Sequence, residues 1–130
     1  MASATLRAAP SLAYSAAGAS GIFFAGLIER LGIATEVNAR ATVIPQGFTA
    51  ALAARGEVAL AIQQVSELLA IPGIEIVGRL PEGANTQAVF SAGIFANAGR
   101  GAPPAAAQAL AWLTAAMDAP SLRQAGLEPA

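Results

Sequence analysis

Short apolar runs alternate with segments of helical spacing along most of the chain. Strands are predicted for five runs, at 11–15, 40–45, 57–63, 74–80 and within 86–99. Helices are predicted for four segments, at 21–32, 47–56, 66–70 and 103–120. Short apolar strands that alternate with helices are typical of a largely parallel sheet with helices on both faces.

Glycine and proline mark the ends of the predicted helices. The first helix, "GIFFAGLIERLG", repeats apolar residues every three or four positions, and Gly32 is placed to stop it. Gly56 ends the second helix in the same way. The last helix begins at Pro103 and Pro104, and Pro120 follows its end. The predicted strands are therefore followed closely by helices, with short loops between them.

The length of the chain suits one domain with a real core. At 130 residues, folding buries roughly two-thirds of the surface of the unfolded chain. We expect an α/β fold, a single three-layer domain with a mostly parallel sheet flanked by helices. Residues 1–130 form this domain, with the α/β core at about 10–97 and a C-terminal helical segment at 98–130.

Composition narrows the chemistry that is possible. The chain is 55% hydrophobic and only 12% charged, with a net charge of −1, so nothing favours nucleic acid as a partner. It contains no Cys and no His, which excludes disulfides, thiolate chemistry and the usual general base. Hydroxyls, amides, carboxylates, Arg and backbone groups remain. We therefore expect no cofactor, no metal site and no catalytic residue of the common types.

Small and amide-bearing residues follow three of the predicted strands. In a parallel sheet, ligands bind beyond the carboxyl ends of the strands, where loops enter helices. The residues predicted to contact a ligand there are Ser15, Ser20, Gly21, Gln46, Gly47 and Gln64. None of these loops carries a cation. The implied ligand is an anion held by neutral hydrogen bonds, or a polar neutral molecule.

Each of these residues also has a purely structural interpretation. Ser20 would serve equally well as a helix N-cap, and Gly47 as a residue that permits a tight turn. Gln63 and Gln64 project to opposite sides if both are extended, so one of them could be a capping or surface amide. We interpret Gln63 as structural and Gln64 as the ligand contact.

The segments "GASGIFFAGLIERLGI", "VIPQG" and "GIEIVGRLPEG", and above all "RGEVALAIQQVSELL" at 55–69, resemble bacterial periplasmic solute-binding proteins of the molybdate-binding type. The resemblance covers nearly the whole chain. It implies one lobe of a two-lobed type 2 binding protein, here the second lobe, the strand that crosses back and the C-terminal helix. The first lobe and a signal peptide, which would precede them, are not in this sequence.

The resemblance also implies where the second lobe contacts its ligand. The matching positions are Ser20 with Gly21, Gln46 with Gly47, and Gln64. Molybdate binders carry Tyr at the position of Gln64. An amide both donates and accepts hydrogen bonds, so Gln64 favours a carboxylate or another organic solute over molybdate.

Three functions remain open at this point. The first is a solute-binding domain for a small anion or organic acid, like the receptor of an ABC transporter. The second is a small organic-acid isomerase, similar to aconitate isomerase, that uses a carboxylate such as Glu67. The third is a truncated homologue that binds nothing. The absence of His, Cys and an obvious acid–base pair favours binding over catalysis.

Partners and location are predicted on the same basis. The last helix would lose its first-lobe partner and expose Leu110, Trp112, Leu113 and Met117, so we expect a homo-oligomer formed through this helix. A transporter permease is a partner only for a full-length form. The resembling family is periplasmic. The N-terminus has no apolar stretch typical of a signal peptide, so the chain as it stands is expected to be soluble and cytoplasmic.

Overall fold

A computed structural model describes residues 2–95 and 103–129. The chain divides into two units, Met1–Thr86 and Gln87–Ala130. In the first unit the elements are α1 (Ala2–Ala8), β1 (Leu12–Ser15), α2 (Ala19–Arg30), α3 (Ala34–Asn38), β2 (Ala41–Ile44), α4 (Ala50–Ala54), β3 (Leu60–Ala61) and α5 (Val65–Leu69). In the second unit they are α6 (Pro104–Ala116) and α7 (Ala119–Gln124). The expected boundary between 97 and 98 lies outside the described residues and stays a prediction.

The first unit is built on a parallel sheet of three strands in the order β2-β1-β3. Leu12 of β1 lies opposite Ala41 of β2 and Leu60 of β3, so all three strands run in register from the same end. Every residue of β1 is buried because the strand has a neighbour on each side and helices flank the sheet. The predicted α/β fold with a parallel sheet flanked by helices is confirmed.

The core of this unit lies around β1 and α2. Phe24, Leu27 and Ile28 recur at helical spacing and are buried on one side of α2. The ring of Tyr14 packs against that of Phe24 with centroids 5.2 Å apart, and its hydroxyl donates a hydrogen bond of 2.8 Å to Asn38 Oδ1. The buried cluster consists of Leu6, Leu12, Tyr14, Phe24, Leu27, Ile28, Ile33, Ala34 and Val37. Truncating Phe24 to Ala would cost about 3–5 kcal/mol.

Gly32 ends α2 as predicted. Its φ of +67° lies in the left-handed region, which glycine enters without a steric penalty. The N–H of Gly32 donates to Glu29 O, and the N–H of Ile33 donates to Ile28 O. This pair of bonds is a Schellman motif, and Ile33 and Ile28 are both in the core. The turn therefore directs the chain from α2 into α3 and pairs the carbonyls of Ile28 and Glu29.

Two short helices, α1 and α3, are absent from the sequence prediction. Arg40 links them, since its guanidinium donates to the carbonyls of Arg7 and Ala9 at the end of α1 and to that of Glu36 in α3. Each helix has seven residues or fewer, too short for a clear apolar period. Tertiary contacts therefore determine these elements more than local sequence does.

The strands predicted at 74–80 and 86–99 are wrong as far as the structure describes them. Residues 74–80 and 86–95 pair with no strand, and residues 96–99 lie outside the described part. Several of their apolar side chains are exposed, with Val77 at 78% and Phe95 at 94%, while Leu80 is half-buried against the core of the first unit. A strand requires a neighbour to accept and donate its backbone hydrogen bonds. An apolar run without such a neighbour does not become a strand.

The described residues 103–129 of the second unit form two helices where the sequence predicts one over 103–120. α6 ends at Ala116, and Asp118 caps a new helix by accepting a hydrogen bond of 2.9 Å from the N–H of Ser121. Pro120 lies in the first turn of α7, where its missing N–H costs nothing. No helix in the described residues is long and apolar enough to cross a membrane.

Candidate functional site

The carboxyl ends of the three strands meet at one edge of the sheet. Ser15 is paired with Ile44, and the pairing extends one step further because the N–H of Ala16 donates to Ile44 O at 2.8 Å. The N–H of Ile62 donates to Ala13 O at 2.9 Å, which fixes the end of β3 beside β1. The loops that follow therefore begin side by side. This arrangement brings the predicted contact residues to a common edge.

Ser15 is the most deeply buried polar residue among the predicted contacts, with 3% of its surface exposed. Its hydroxyl makes no hydrogen bond within the described part of the chain. No unpartnered side-chain atom there is fully sealed from water, so the hydroxyl remains in reach of solvent. Ideal Cβ atoms placed on Gly18 and on Gly21 would each lie 2.7 Å from Ser15 Oγ. The hydroxyl thus faces the first turn of α2.

The N-terminus of α2 is open beside this hydroxyl. Gly18 is the N-cap residue, and no side chain caps the helix. Ser20 lies inside the first turn, so its interpretation as an N-cap is wrong. The N–H groups of residues 19–21 precede the first intrahelical bond, which runs from Ile22 to Gly18 O. They carry the partial positive charge of the helix end and can donate to an anion.

Gly21 permits the close approach of α2 to β1. A Cβ atom at this position would lie 1.6 Å from the carbonyl oxygen of Ser15. Real Cβ contacts essentially never fall below 3.0 Å, so no other residue fits without moving backbone. The absence of a side chain on Gly21 keeps the Ser15 hydroxyl and the helix end together.

The loop between β2 and α4 contributes Gln46 and Gly47, both exposed. Gly47 has a φ of +103°, which confirms the tight turn that the sequence suggests without excluding a ligand role. Gln63 holds this loop, because its Nε2 donates to Gly47 O at 3.1 Å and its Oε1 accepts from the N–H of Thr49 at 2.9 Å. The structural interpretation of Gln63 is thereby confirmed.

Gln64 differs from its neighbour. It is the N-cap residue of α5 in extended conformation, with φ −62° and ψ 143°, and its carbonyl accepts from the N–H groups of Glu67 and Leu68. Its half-buried side chain neither caps the helix nor makes a hydrogen bond within the described residues. The amide is therefore available to a ligand, although no contact tests that role.

The loops at this edge, 16–18, 45–49 and 62–64, contain no charged residue. Glu67, in the first turn of α5, is the nearest acidic residue in sequence. Across the described part of the chain, no group of three acidic, His or Cys residues is placed to hold a metal ion. The arrangement can therefore offer hydroxyl, amide and backbone hydrogen bonds to an anion or a polar solute.

Thr49 is the residue that the sequence analysis missed. It is completely buried, and its Oγ1 lies 2.9 Å from Gln63 Oε1 and 3.2 Å from Ile62 O. Thr directly before "AALAARG" has the composition of a helix start, which is the available sequence signal. Its hydroxyl instead bonds across the sheet edge to β3, a contact fourteen residues away that local sequence does not reveal.

Comparison with known proteins places the chain in a family. The model of the family described as "Bacterial extracellular solute-binding protein" matches residues 2–128. A Pseudomonas protein named aconitate isomerase is 38% identical over 127 residues, which cover 96% of this chain and 47% of that protein. The chain thus spans about half the length of this relative. No solved structure matches the chain. On the strength of the family match, which covers nearly its whole length, the chain belongs to the bacterial extracellular solute-binding proteins.

Proposed function

We propose that the chain is one lobe of a receptor that binds a small anion or organic acid at the carboxyl edge of its sheet, in the manner of ABC-transporter receptors. Ser15 carries this proposal, because its hydroxyl has no hydrogen bond within the described residues, stays in reach of water and faces the uncapped first turn of α2. A ligand that displaces this water can bond to the hydroxyl and to the N–H groups of the helix end at the same time.

The chemistry of the edge supports an organic acid over a bare metal oxyanion. The first turn of α2 favours an anion by roughly 0.3–1 kcal/mol through its dipole, and no cation is present in the loops. Gln64 offers both a donor and an acceptor, which suits a carboxylate that carries further polar groups. The proposed contacts are Ser15, Ser20, Gly21, Gln46, Gly47 and Gln64. Membership of the molybdate-binding branch stays a prediction.

The relative's length supports a two-lobed complete site. This chain spans 47% of that protein, and we propose that it corresponds to the second lobe of a cleft. One lobe supplies only part of the hydrogen bonds to a ligand and excludes water from one side alone. We therefore expect binding at millimolar ligand concentration. A transporter permease would be a partner of the two-lobed form.

Thermal denaturation in the presence of possible ligands tests the binding proposal. Trans-aconitate, cis-aconitate, citrate, succinate, sulfate and molybdate form the panel, each at matched ionic strength. We expect at least one organic acid to raise the Tm, because a ligand that binds only the folded state stabilises it.

Two variants show whether that shift comes from the proposed site. Ser15→Ala removes a hydroxyl that bonds to no described residue, so the Tm of the variant without ligand should stay close to that of the wild type, yet the ligand shift should be lost. Ser91→Ala, at an exposed serine of the second unit, is the matched control and should keep the shift. A full shift in Ser15→Ala would place the ligand elsewhere.

An isomerase is the second candidate, favoured by the name of the 38% identical relative. Moving a double bond or inverting its geometry in an unsaturated tricarboxylate requires removal and return of a proton. Glu67 is the acidic residue in the first turn of the helix that Gln64 caps, which makes it the proposed base. Proton NMR of cis-aconitate incubated with the chain tests this, with Glu67→Gln as the inactive control. Unchanged spectra after long incubation would reject it.

Self-association through α6 is proposed as well. Trp112 is 68% exposed, Leu113 and Met117 are also exposed, and α6 has no charged residue. A second copy could cover this face without burying a charge, and a net charge of −1 gives little repulsion between copies. Light scattering should report a mass above that of one chain, and Trp112→Glu should lower it. A monomer at high micromolar concentration would reject the proposal.

A truncated homologue without a ligand is the outcome if the whole panel and the NMR assay are negative. The cytoplasmic location expected from the sequence also stays a prediction, since the family is described as extracellular. Cell fractionation of the tagged chain in its bacterial host would decide between the two compartments.

A further inference from the structure

We infer that Gln63 is a positioning residue, whose side chain holds the loop between β2 and α4 in the conformation that presents Gln46 and Gly47 to a ligand. The expected effect of Gln63 on ligand binding rests on the proposed function. Its role in holding the loop rests only on its own hydrogen bonds.

Both the oxygen and the nitrogen of the Gln63 side-chain amide make hydrogen bonds. Its Oε1 accepts from the N–H of Thr49 at 2.9 Å and lies 2.9 Å from the Thr49 hydroxyl, while its Nε2 donates to Gly47 O at 3.1 Å. The opposite orientation of the amide would turn NH₂ towards the N–H of Thr49, so the bonds also fix which end is oxygen. One side chain thus connects the end of β3 to two points of a loop fourteen to sixteen residues earlier.

The loop needs such a restraint because its own sequence leaves it free. Gly47 adopts φ +103°, and an ideal Cβ placed there meets nothing within 4 Å. Gln46 and Phe48 are exposed, so neighbouring side chains do not fix the turn by packing. Glycine loses more backbone entropy on ordering than any other residue. The bonds from Gln63 supply the order that packing does not.

Two substitutions at Gln63 distinguish the hydrogen bonds that it accepts from Thr49 from the one that it donates to Gly47. Gln63→Leu removes all of them at similar size. Gln63→Glu keeps the acceptor for Thr49 but replaces the donor to Gly47 O with a carboxylate oxygen, which repels that carbonyl. Gln108→Leu, at an exposed glutamine of α6, is the control for a change from amide to alkyl.

Amide hydrogen exchange measured by NMR on the whole chain provides the first readout. We expect Gln63→Leu to speed exchange at the N–H of Thr49 by at least about threefold relative to the amides of β1, as the loss of one hydrogen bond implies. Gln63→Glu should keep Thr49 protected. A merely global loss of stability would speed Thr49 and β1 by the same factor, and that result would overturn the inference. So would unchanged exchange at Thr49.

Ligand titration provides the second readout, with the panel acid that shifts the Tm of the wild type as the probe. Both Gln63 variants should bind that acid at least about threefold more weakly, and Gln108→Leu should bind it as the wild type does. Equal binding by all three would overturn the positioning role. If the wild type binds no acid of the panel, the proposed function fails on its own, and the exchange rates alone decide whether Gln63 holds the loop. Should Gln63→Leu not fold, Gln63→Glu carries the test alone: weaker binding of the acid with Thr49 still protected supports the positioning role, and binding equal to that of the wild type overturns it.

Discussion

Gly21→Ala is the substitution whose effect follows most directly from the geometry. The new Cβ would lie 1.6 Å from Ser15 O and 2.6 Å from Ser15 C. Restoring even the 3.0 Å limit to the oxygen requires a displacement of about 1.4 Å, the difference between 3.0 and 1.6. The Cβ atom is fixed to the backbone of α2 and the Ser15 atoms belong to the backbone of the central strand, so no rotation of a side chain can relieve the clash.

The expected loss of stability follows from two opposing effects. Overpacking in a well-packed interior costs about 1–3 kcal/mol and occasionally more, and a clash with a central strand lies at the upper end. Replacing Gly by Ala within a helix returns about 0.5–1 kcal/mol. We therefore expect Gly21→Ala to lower the free energy of unfolding by about 2 kcal/mol or more. The same shift would widen the gap between Ser15 and α2 and weaken ligand binding.

Gly26→Ala supplies the matched control in the same helix. An ideal Cβ there meets only the end of the flexible Arg30 side chain, at 3.3 Å. This variant should gain about 0.5–1 kcal/mol from helix propensity. Urea unfolding followed by far-UV circular dichroism measures both variants. A Gly21→Ala protein as stable as Gly26→Ala would refute the close approach of α2 to Ser15.

Three further outcomes are expected. Hydrogen bonds from the N–H and hydroxyl of Ser121 lower the pKa of Asp118, so the cap of α7 persists above the ordinary pKa of Asp and is lost as the pH falls through the lowered value. The chemical shift of the Ser121 amide proton should follow this titration with a midpoint below that of Asp in an unfolded chain. A midpoint at or above that of the unfolded chain would contradict the prediction. Thr49→Val removes a buried hydroxyl that bonds to Gln63 and should cost about 1–3 kcal/mol in urea unfolding, whereas no loss would mean that the Thr49 hydroxyl contributes little. Phe24→Ala should lose about 3–5 kcal/mol, and a loss under 1 kcal/mol would place the core elsewhere.

The sequence correctly predicted those elements whose pattern lies within a single strand or helix, namely β1, β2 and α2. The runs that became β1 and β2 are apolar and short, and α2 repeats its apolar residues at helical spacing up to Gly32. These features act within one turn or one strand, so the sequence shows them directly. The stretches at 74–80 and 86–95 have the same apolar content but lack a neighbouring strand in the described structure. A single sequence does not show whether such a neighbour exists.

The sequence likewise predicted only part of the candidate site. The position of the strand ends follows from the parallel order, so Ser15 and Gln64 could be assigned to one edge from the sequence alone. The closeness of the Ser15 hydroxyl to Gly18 and Gly21 could not, because it depends on how closely α2 approaches β1. The bonds between Thr49 and Gln63 join distant segments and likewise appear only in three dimensions.

Isothermal titration of the chain with trans-aconitate, in parallel with Ser15→Ala, shows whether the carboxyl edge of the sheet binds an organic acid. We expect saturable binding at millimolar concentration by the wild type, and its loss in a Ser15→Ala variant that unfolds at a similar urea concentration. No binding by the wild type to this acid or to any other member of the panel would contradict the claim. So would binding that is equal in wild type and Ser15→Ala.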